Sequence, residues 1–589
     1  MDQRQFKVLL IAGLCAAGYV AFSPLLSAEF LDWDDRMNIT ERTEIRELSW
    51  ASLKWMFFDY GPDIRYKPLT YLAWAILYAG WELNPFPFHL ANCAMHLANA
   101  VLFFFLLIRL GKKAGGWPEE EGPAQNWRLA VAALVAGIWM VHPLRVEVAA
   151  WASVLSYSLA TFFLLVALLG FTDCTLDRPL FRQRGYWQAL VCFQLAQMSF
   201  PTVIGGCFAF LACCVFPFRW IDVGKPFDAA GRRVLLAMGP FFVLTAAMVV
   251  VGLYGQHAVK GVFNPQSLTE LPVAERLAGA AYFLAYYAWR PLYPFKHFTL
   301  NEDLVGMSTT DGRVLFAFAL VIGVSAIVLW RRRASPAAFA VCLAFVGMTF
   351  PVLKLTGGTP FPGPGDRYAL IPGLAWFAGL FGIMMKFSGH RHRGVLLFVL
   401  LGLGSAFIAQ SRGRSATWRN NLAFFTEQVA TLKSPHHLAN AHARLGKALL
   451  QSNRPAEALP HFERSWEVYP ETAAVVAAPY HARLLLGGGR ASEAIQVFRD
   501  ALDHRPDDVD LTRMLGEAQI ATGAHEEGFR TFEDLIARHP DRADHHLHFA
   551  MALLKANAPD RAKSVLQRAL KRFPNHRDAT ELLSFLERN

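Results

Sequence analysis

Residues 439–472 read ANAHARLGKALLQSNRPAEALPHFERSWEVYPET, and this stretch decides how the C-terminal part of the chain folds. Two runs with apolar residues at helical spacing flank a short polar break, so the segment reads as a helix pair. Leu445-Gly446, Ala458 and Phe462 put small residues and one aromatic where paired helices must approach. Pro470 ends the pair, because proline lacks a backbone donor and clashes with the preceding turn. Leu515-Gly516, Phe532 and Pro540 repeat the pattern; Ala494, Phe498, Ala501 and Pro506 mark another unit, and Ala562, Leu566, Ala569 and Pro574 a fourth. A half unit from Trp418 to Pro435 leads in, and a helix near 577–587 closes the stack. Such pairs cannot bury their apolar faces alone, so they stack into an α-solenoid of about four repeats plus capping helices.

Upstream the composition changes. At 54% hydrophobic and 18% charged, the 589-residue chain is too apolar to be one soluble unit. Residues 1–411 alternate long apolar runs with short polar loops and predict a mainly α, polytopic transmembrane bundle; residues 412–589 form the repeat domain. The run from Val8 to Leu26 follows Arg4 and Lys7 and reads as a retained first span, although Ser27-Ala28 would also suit a signal-peptide end. Further spans are expected at 86–109, 128–142, 147–171, 186–199, 201–217, 233–253, 313–330, 336–353, 368–386 and 394–411. The net charge of +10 does not indicate nucleic-acid binding, since many basic residues outside the repeats sit in short loops, where topology signals belong. Basic loops holding Arg109/Lys112/Lys113, Arg178/Arg182/Arg184, Arg219/Lys225/Arg232/Arg233, Arg331/Arg332/Arg333 and Lys386/Arg391/Arg393 are then cytoplasmic. Segment 275–294, with Arg276 and Arg290 among Tyr282, Tyr286, Tyr287, Trp289 and Tyr293, has the composition of an interfacial helix. With that reading the chain crosses about eleven times and delivers the repeats outside, together with loops 27–85, 142–147, 254–312 and 354–367. The eight cysteines show no CxxC or Cys/His pattern. Twelve of the nineteen histidines lie in the repeat domain, where His545, His546 and His548 read as solvated helix residues rather than a metal site.

Chemistry concentrates in the first outside loop. Phe30-Leu31-Asp32-Trp33-Asp34-Asp35 puts three carboxylates directly after a span, able to deprotonate a hydroxyl, to hold a divalent cation, or simply to be solvated. On the next span His89, Asn92, His96 and Asn99 share one helix face; they either bond within the bundle or line a cavity. The turn Val141-His142-Pro143-Leu144-Arg145-Val146-Glu147 starts a span with an acid, which capping and dipole matching alone would explain. Gly363-Pro364-Gly365-Asp366-Arg367-Tyr368 delivers an arginine at a helix start, for a lipid phosphate or for a surface pair with Asp366.

The order WDD (33–35), YKPLT (66–70), NPFPFHLANCAMHLAN (84–99), HPLRVEVAAW (142–151), DRYALIP (366–372) and TWRN (417–420) ahead of tetratricopeptide-type repeats resembles the membrane TPR proteins related to the TMTC O-mannosyltransferases. The resemblance covers nearly the whole chain. It implies a GT-C glycosyltransferase fold, a polyprenyl-phosphate-linked sugar donor and a protein acceptor. Asp34 and Asp35 match the catalytic acidic pair, and Arg367 the arginine near the donor phosphate. Lys67 and Arg290 are further candidates for that phosphate, and His89, His96, His142, Glu147 and Tyr368 for orienting substrate. A divalent metal, Mg or Mn, is compatible with such an acidic loop. The expected setting is a bacterial inner membrane with the repeats on the periplasmic side, binding the acceptor protein. The chain also departs from the pattern: relatives carry a charged Glu-Arg-Lys-Asp block where this chain has Val154-Leu155-Ser156-Tyr157, Ser-Lys where it has Ser199-Phe200, and arginine where it has Lys67. A body that has lost transfer and only displays its repeats as a scaffold is the competing reading; a lipid or sugar flippase using the polar stripe is a third.

The topology is tested by a single cysteine at Ser452, in the cysteine-free repeat domain, which should react with a membrane-impermeant thiol reagent in intact cells. Labelling only after lysis would put the repeats in the cytoplasm.

Overall fold

The structure, a computed structural model, describes residues 2–59, 65–115, 117, 122–258, 272–294, 309–353, 355, 364–386 and 392–588. Gly363, Arg391, residues 259–271 and 295–308 of loop 254–312, and most of loop 354–367 lie outside the described residues. Every regular element among the described residues is helical. The chain forms two compact units, Met1–Phe424 and Phe425–Asn589.

Eight helices of the first unit are long and apolar enough to cross a membrane: Gln3–Ser27, Pro85–Lys113, Pro123–Val141, Ala152–Thr172, Ala229–Tyr254, Gly312–Trp330, Asp366–Lys386 and Arg393–Thr417. The remaining three expected spans are helical but shorter: Pro201–Val215 and Pro336–Val352 are apolar, and Arg184–Ser199 carries several polar residues. The helix Val273–Trp289 turns Tyr286 and Tyr287 inward onto Leu144, Val314 and Ala369, while Trp289 and Tyr293 are exposed. The segment read as interfacial is therefore partly core.

Local chemistry sets the ends of the helix that carries the polar stripe. Asn84 caps Pro85–Lys113 by accepting from the Phe86 N–H at 3.1 Å, a proline opens the first turn, and Lys112 and Lys113 sit against the negative C-terminal end. The unit boundary falls later than hydropathy suggests because helix Arg393–Thr417 continues past its apolar part. Arg412 donates to Val20 O at 2.8 Å, Arg414 donates to Pro294 O at 3.0 Å, and Trp418 packs on Trp151. Trp418 thus belongs to the membrane unit, not to the repeats.

The second unit contains four helix pairs. They are Pro435–Gln451 with Pro455–Val468, Pro470–Val476 and Ala478–Gly487 with Ala491–His504, Val509–Ala521 with His525–Arg538, and Ala543–Lys555 with Pro559–Arg572; Arg577–Arg588 follows. The small and large positions read from the sequence meet directly. A Cβ on Gly446 would lie 2.7 Å from the Phe462 ring and one on Gly516 would lie 2.9 Å from Phe532. Larger residues there would force the paired helices apart.

Histidines are built into this packing. His442 Nδ1 faces His461 Nδ1 at 2.9 Å across the first pair, and the His481 ring stacks on Phe462. Burial lowers both His442 and His481 to about 4, so each is held neutral in the folded state. The unfolded chain, with histidines near 6.5, binds protons that the fold refuses, so stability is present above about pH 6.5 and is lost as pH falls toward 4. Thermal unfolding of the repeats between pH 7 and 5 should show the midpoint falling, with a shallower slope in His442→Gln; a pH-independent midpoint would contradict the placement of these rings.

Candidate functional site

The site forms around a buried interruption between two membrane-length helices. Helix Pro123–Val141 ends, and the chain passes through Pro143–Arg145, the five-residue helix Val146–Ala150 and the turn Ala152–Val154 before entering Leu155–Thr172. Broken helices expose backbone carbonyls and N–H groups that a protein interior must satisfy. The polar stripe does this. Asn92 Nδ2 donates to Val148 O and Trp151 O, both at 2.8 Å, Asn99 Nδ2 donates to Ser158 O at 2.8 Å, and His96 Nε2 lies 3.0 Å from Met140 O. Of its two readings, bonding within the bundle is the one realised. His89 Nε2 lies 3.3 Å from Glu29 O, and His142 is buried with Nε2 3.0 Å from Pro291 O. The three histidines expected to orient substrate are thus each turned to a backbone carbonyl.

Two carboxylates cap the helices that restart. Asp35 accepts the Leu31 N–H at 3.0 Å on one oxygen and the Ser153 N–H at 2.7 Å on the other, closing the first turn before Leu155–Thr172. Burial lifts its carboxyl to about 7 even though both N–H groups favour the charged form. Glu147 likewise accepts the backbone N–H of Arg367 at 2.8 Å and pairs with the Arg367 guanidinium. Arg367 therefore pairs with Glu147 and not with Asp366. Glu147 serves as this buried counter-ion instead of facing substrate. Asp366 is buried between Arg290 at 3.8 Å and Arg414 at 3.6 Å, a charge cluster that neither of its sequence readings contained.

Asp34 is different. It is half-buried, its carboxylate makes no hydrogen bond or ion pair among the described residues, and only its backbone carbonyl is held, by Asn38 Nδ2 at 2.8 Å. Asn38 in turn accepts from Lys67 Nζ at 2.5 Å, and Lys67 lies over the Tyr71 and Trp74 rings at 4.9 and 5.1 Å. The acidic pair thus divides into one structural and one chemically available carboxylate.

Arg65, within electrostatic reach of Asp34, stands at the edge of a cluster of aromatics and cations. Arg65 lies over Phe200 at 5.3 Å, Phe200 packs on Tyr157 at 4.3 Å, Tyr157 lies 6.1 Å from Tyr368, and Arg367 sits 4.5 Å over Tyr368 and 5.7 Å over Trp151. Arg65 is within electrostatic reach of Asp34, Tyr157, Tyr368 and Arg367. Sequence reasoning passed over Arg65, although it stands two residues before Lys67, and treated Tyr157 only as a lost charge. Both oxygens of Asp35 are taken by backbone N–H groups, and among the described residues no three His, Cys, Asp or Glu side chains gather as ligands.

Family models described as tetratricopeptide repeat match residues 481–543 and 523–584. The C-terminal unit is a tetratricopeptide-repeat domain. Neither model reaches the membrane unit, and no curated protein matches the chain. Among solved structures, a chain of the APC/C hetero-tetramer Cut9-Hcn1 aligns over 88% of this chain and 89% of its own at 13% identity; its TM-score of 0.24 is too low to bear on the fold. The tetratricopeptide unit is a protein-interaction module by type.

The division of the acidic pair is testable by stability alone. Asp35→Ala should destabilise the membrane unit by about 1–3 kcal/mol for each stranded N–H donor, whereas Asp34→Asn should leave thermal unfolding in detergent unchanged. Equal effects would undo the division.

Proposed function

We propose that the chain is a membrane glycosyltransferase that moves a sugar from a polyprenyl-phosphate-type lipid donor to a protein Ser/Thr or glycan hydroxyl outside the cytoplasm, its tetratricopeptide unit binding the acceptor. The observation that carries this reading is Asp34: a half-buried carboxylate without a hydrogen bond or ion pair among the described residues, within electrostatic reach of Arg65, next to an Asp35 committed to the fold. In the step we propose, Asp34 takes the proton of the acceptor hydroxyl. That oxygen attacks the anomeric carbon from the face opposite the phosphate, the bond from carbon to phosphate oxygen breaks, and the lipid phosphate leaves with the electron pair. Cations and tyrosine hydroxyls of the cluster around Arg65 would meet the charge that grows on the phosphate. No step is routed through a metal.

The second reading is a non-catalytic membrane scaffold. It is favoured by how many motif residues satisfy the backbone or each other: Asn92, His96, His142, Asp35 and the Glu147–Arg367 pair. Asp34→Asn separates the two, because it removes basicity with little change in shape. Transfer from a lipid-linked sugar in purified membranes should fall about a hundredfold or more, with insertion and partner capture by the repeats retained. Wild-type transfer in this variant would remove Asp34 from the mechanism, and no transfer by the unmodified chain across donor sugars would favour the scaffold.

A further inference from the structure

If a phosphate-bearing lipid occupies this site, its anion needs donors that the fold has not already used. The cations first considered are engaged: Arg367 with Glu147, Arg290 with Asp366 and Tyr293 O, Lys67 with Asn38. Two groups are not. Arg65 is exposed, lies over Phe200, and makes no hydrogen bond or ion pair among the described residues. Tyr157 is buried and packs on the same Phe200 ring, and its hydroxyl has no hydrogen-bond partner among the described residues. An unpaired phenol hydroxyl inside a packed membrane unit costs free energy unless a ligand completes it.

We propose that Arg65 and the Tyr157 hydroxyl together form an oxyanion site for a phosphoryl group. Phe200 is the platform that sets their separation: the guanidinium packs on its face and the phenol ring packs beside it. Arg65 supplies a fork of donors and a full charge reachable from outside, while Tyr157 supplies one neutral donor. Lys67 is held by Asn38, and the cation two residues earlier is the uncommitted one; Tyr157 gives a donor without a buried charge. The proposal rests on the transferase reading of the same site.

The test measures binding of polyprenyl monophosphate and of the neutral polyprenol to the full chain in nanodiscs, for wild type, Arg65→Gln and Tyr157→Phe. Wild type should prefer the phosphate by about tenfold or more. Arg65→Gln should remove most of that preference and Tyr157→Phe should lower it about three- to tenfold. Neither should lower the unfolding temperature, because neither removed group bonds to protein. Inorganic phosphate that competes would support the site with free phosphate as its ligand; failure to compete with preference intact would support the lipid headgroup. A wild-type preference retained by both variants overturns the site and leaves the transferase reading standing. Equal wild-type affinity for phosphate and alcohol overturns both.

Discussion

The membrane unit depends on one constraint: the buried connection from Val141 to Leu155 between two membrane-length helices, whose exposed backbone groups must find partners there. Asn92, His96 and Ser411 supply donors to the carbonyls of Trp151, Val148, Met140 and Val141, and Asp35 takes the N–H of Ser153. These partners come from three other parts of the chain, so the interruption ties the acidic loop, the second helix and the last membrane-length helix into one body. The interruption is what brings Asp34, Tyr157 and Arg367 into one neighbourhood.

The same constraint explains why so many polar motif residues do not face a ligand. Removing one partner of a buried pair such as Glu147–Arg367 typically costs about 3–5 kcal/mol, and the pair also closes the first turn of Asp366–Lys386 through the Arg367 N–H. Charges kept on such grounds report on the fold as much as on function. Chemistry is therefore better sought among groups the fold leaves unpaired, and Asp34, Arg65 and Tyr157 share that property within one cluster of side chains.

Helix positions were legible in the sequence because length and apolarity follow from the solvent: all eleven expected spans are helical, and eight have membrane length. The repeats were legible because their packing is local. Gly446 against Phe462 and Gly516 against Phe532 recur at fixed offsets, so periodicity carries the contact. The site was legible only as a neighbourhood. Asp34 and Asp35 are adjacent and alike in sequence, and what separates them is an N–H supplied by Ser153, far along the chain. Arg367 had Asp366 as its obvious partner, but a backbone N–H directed at Glu147 drew the guanidinium there as well. Arg65 carried no motif and became visible only once Lys67 was seen to be occupied.

On the proposed transferase reading, a half-buried carboxylate and an exposed arginine are left for substrate to complete. Arg65 lies over Phe200, and the Asp34 carboxylate makes no hydrogen bond or ion pair among the described residues. A gap between complementary charges is what a transferred group with one acidic proton and one phosphate would fill. The transferase reading gives both residues a role, whereas the scaffold reading leaves Arg65 a surface cation that is worth little to stability whether paired or not.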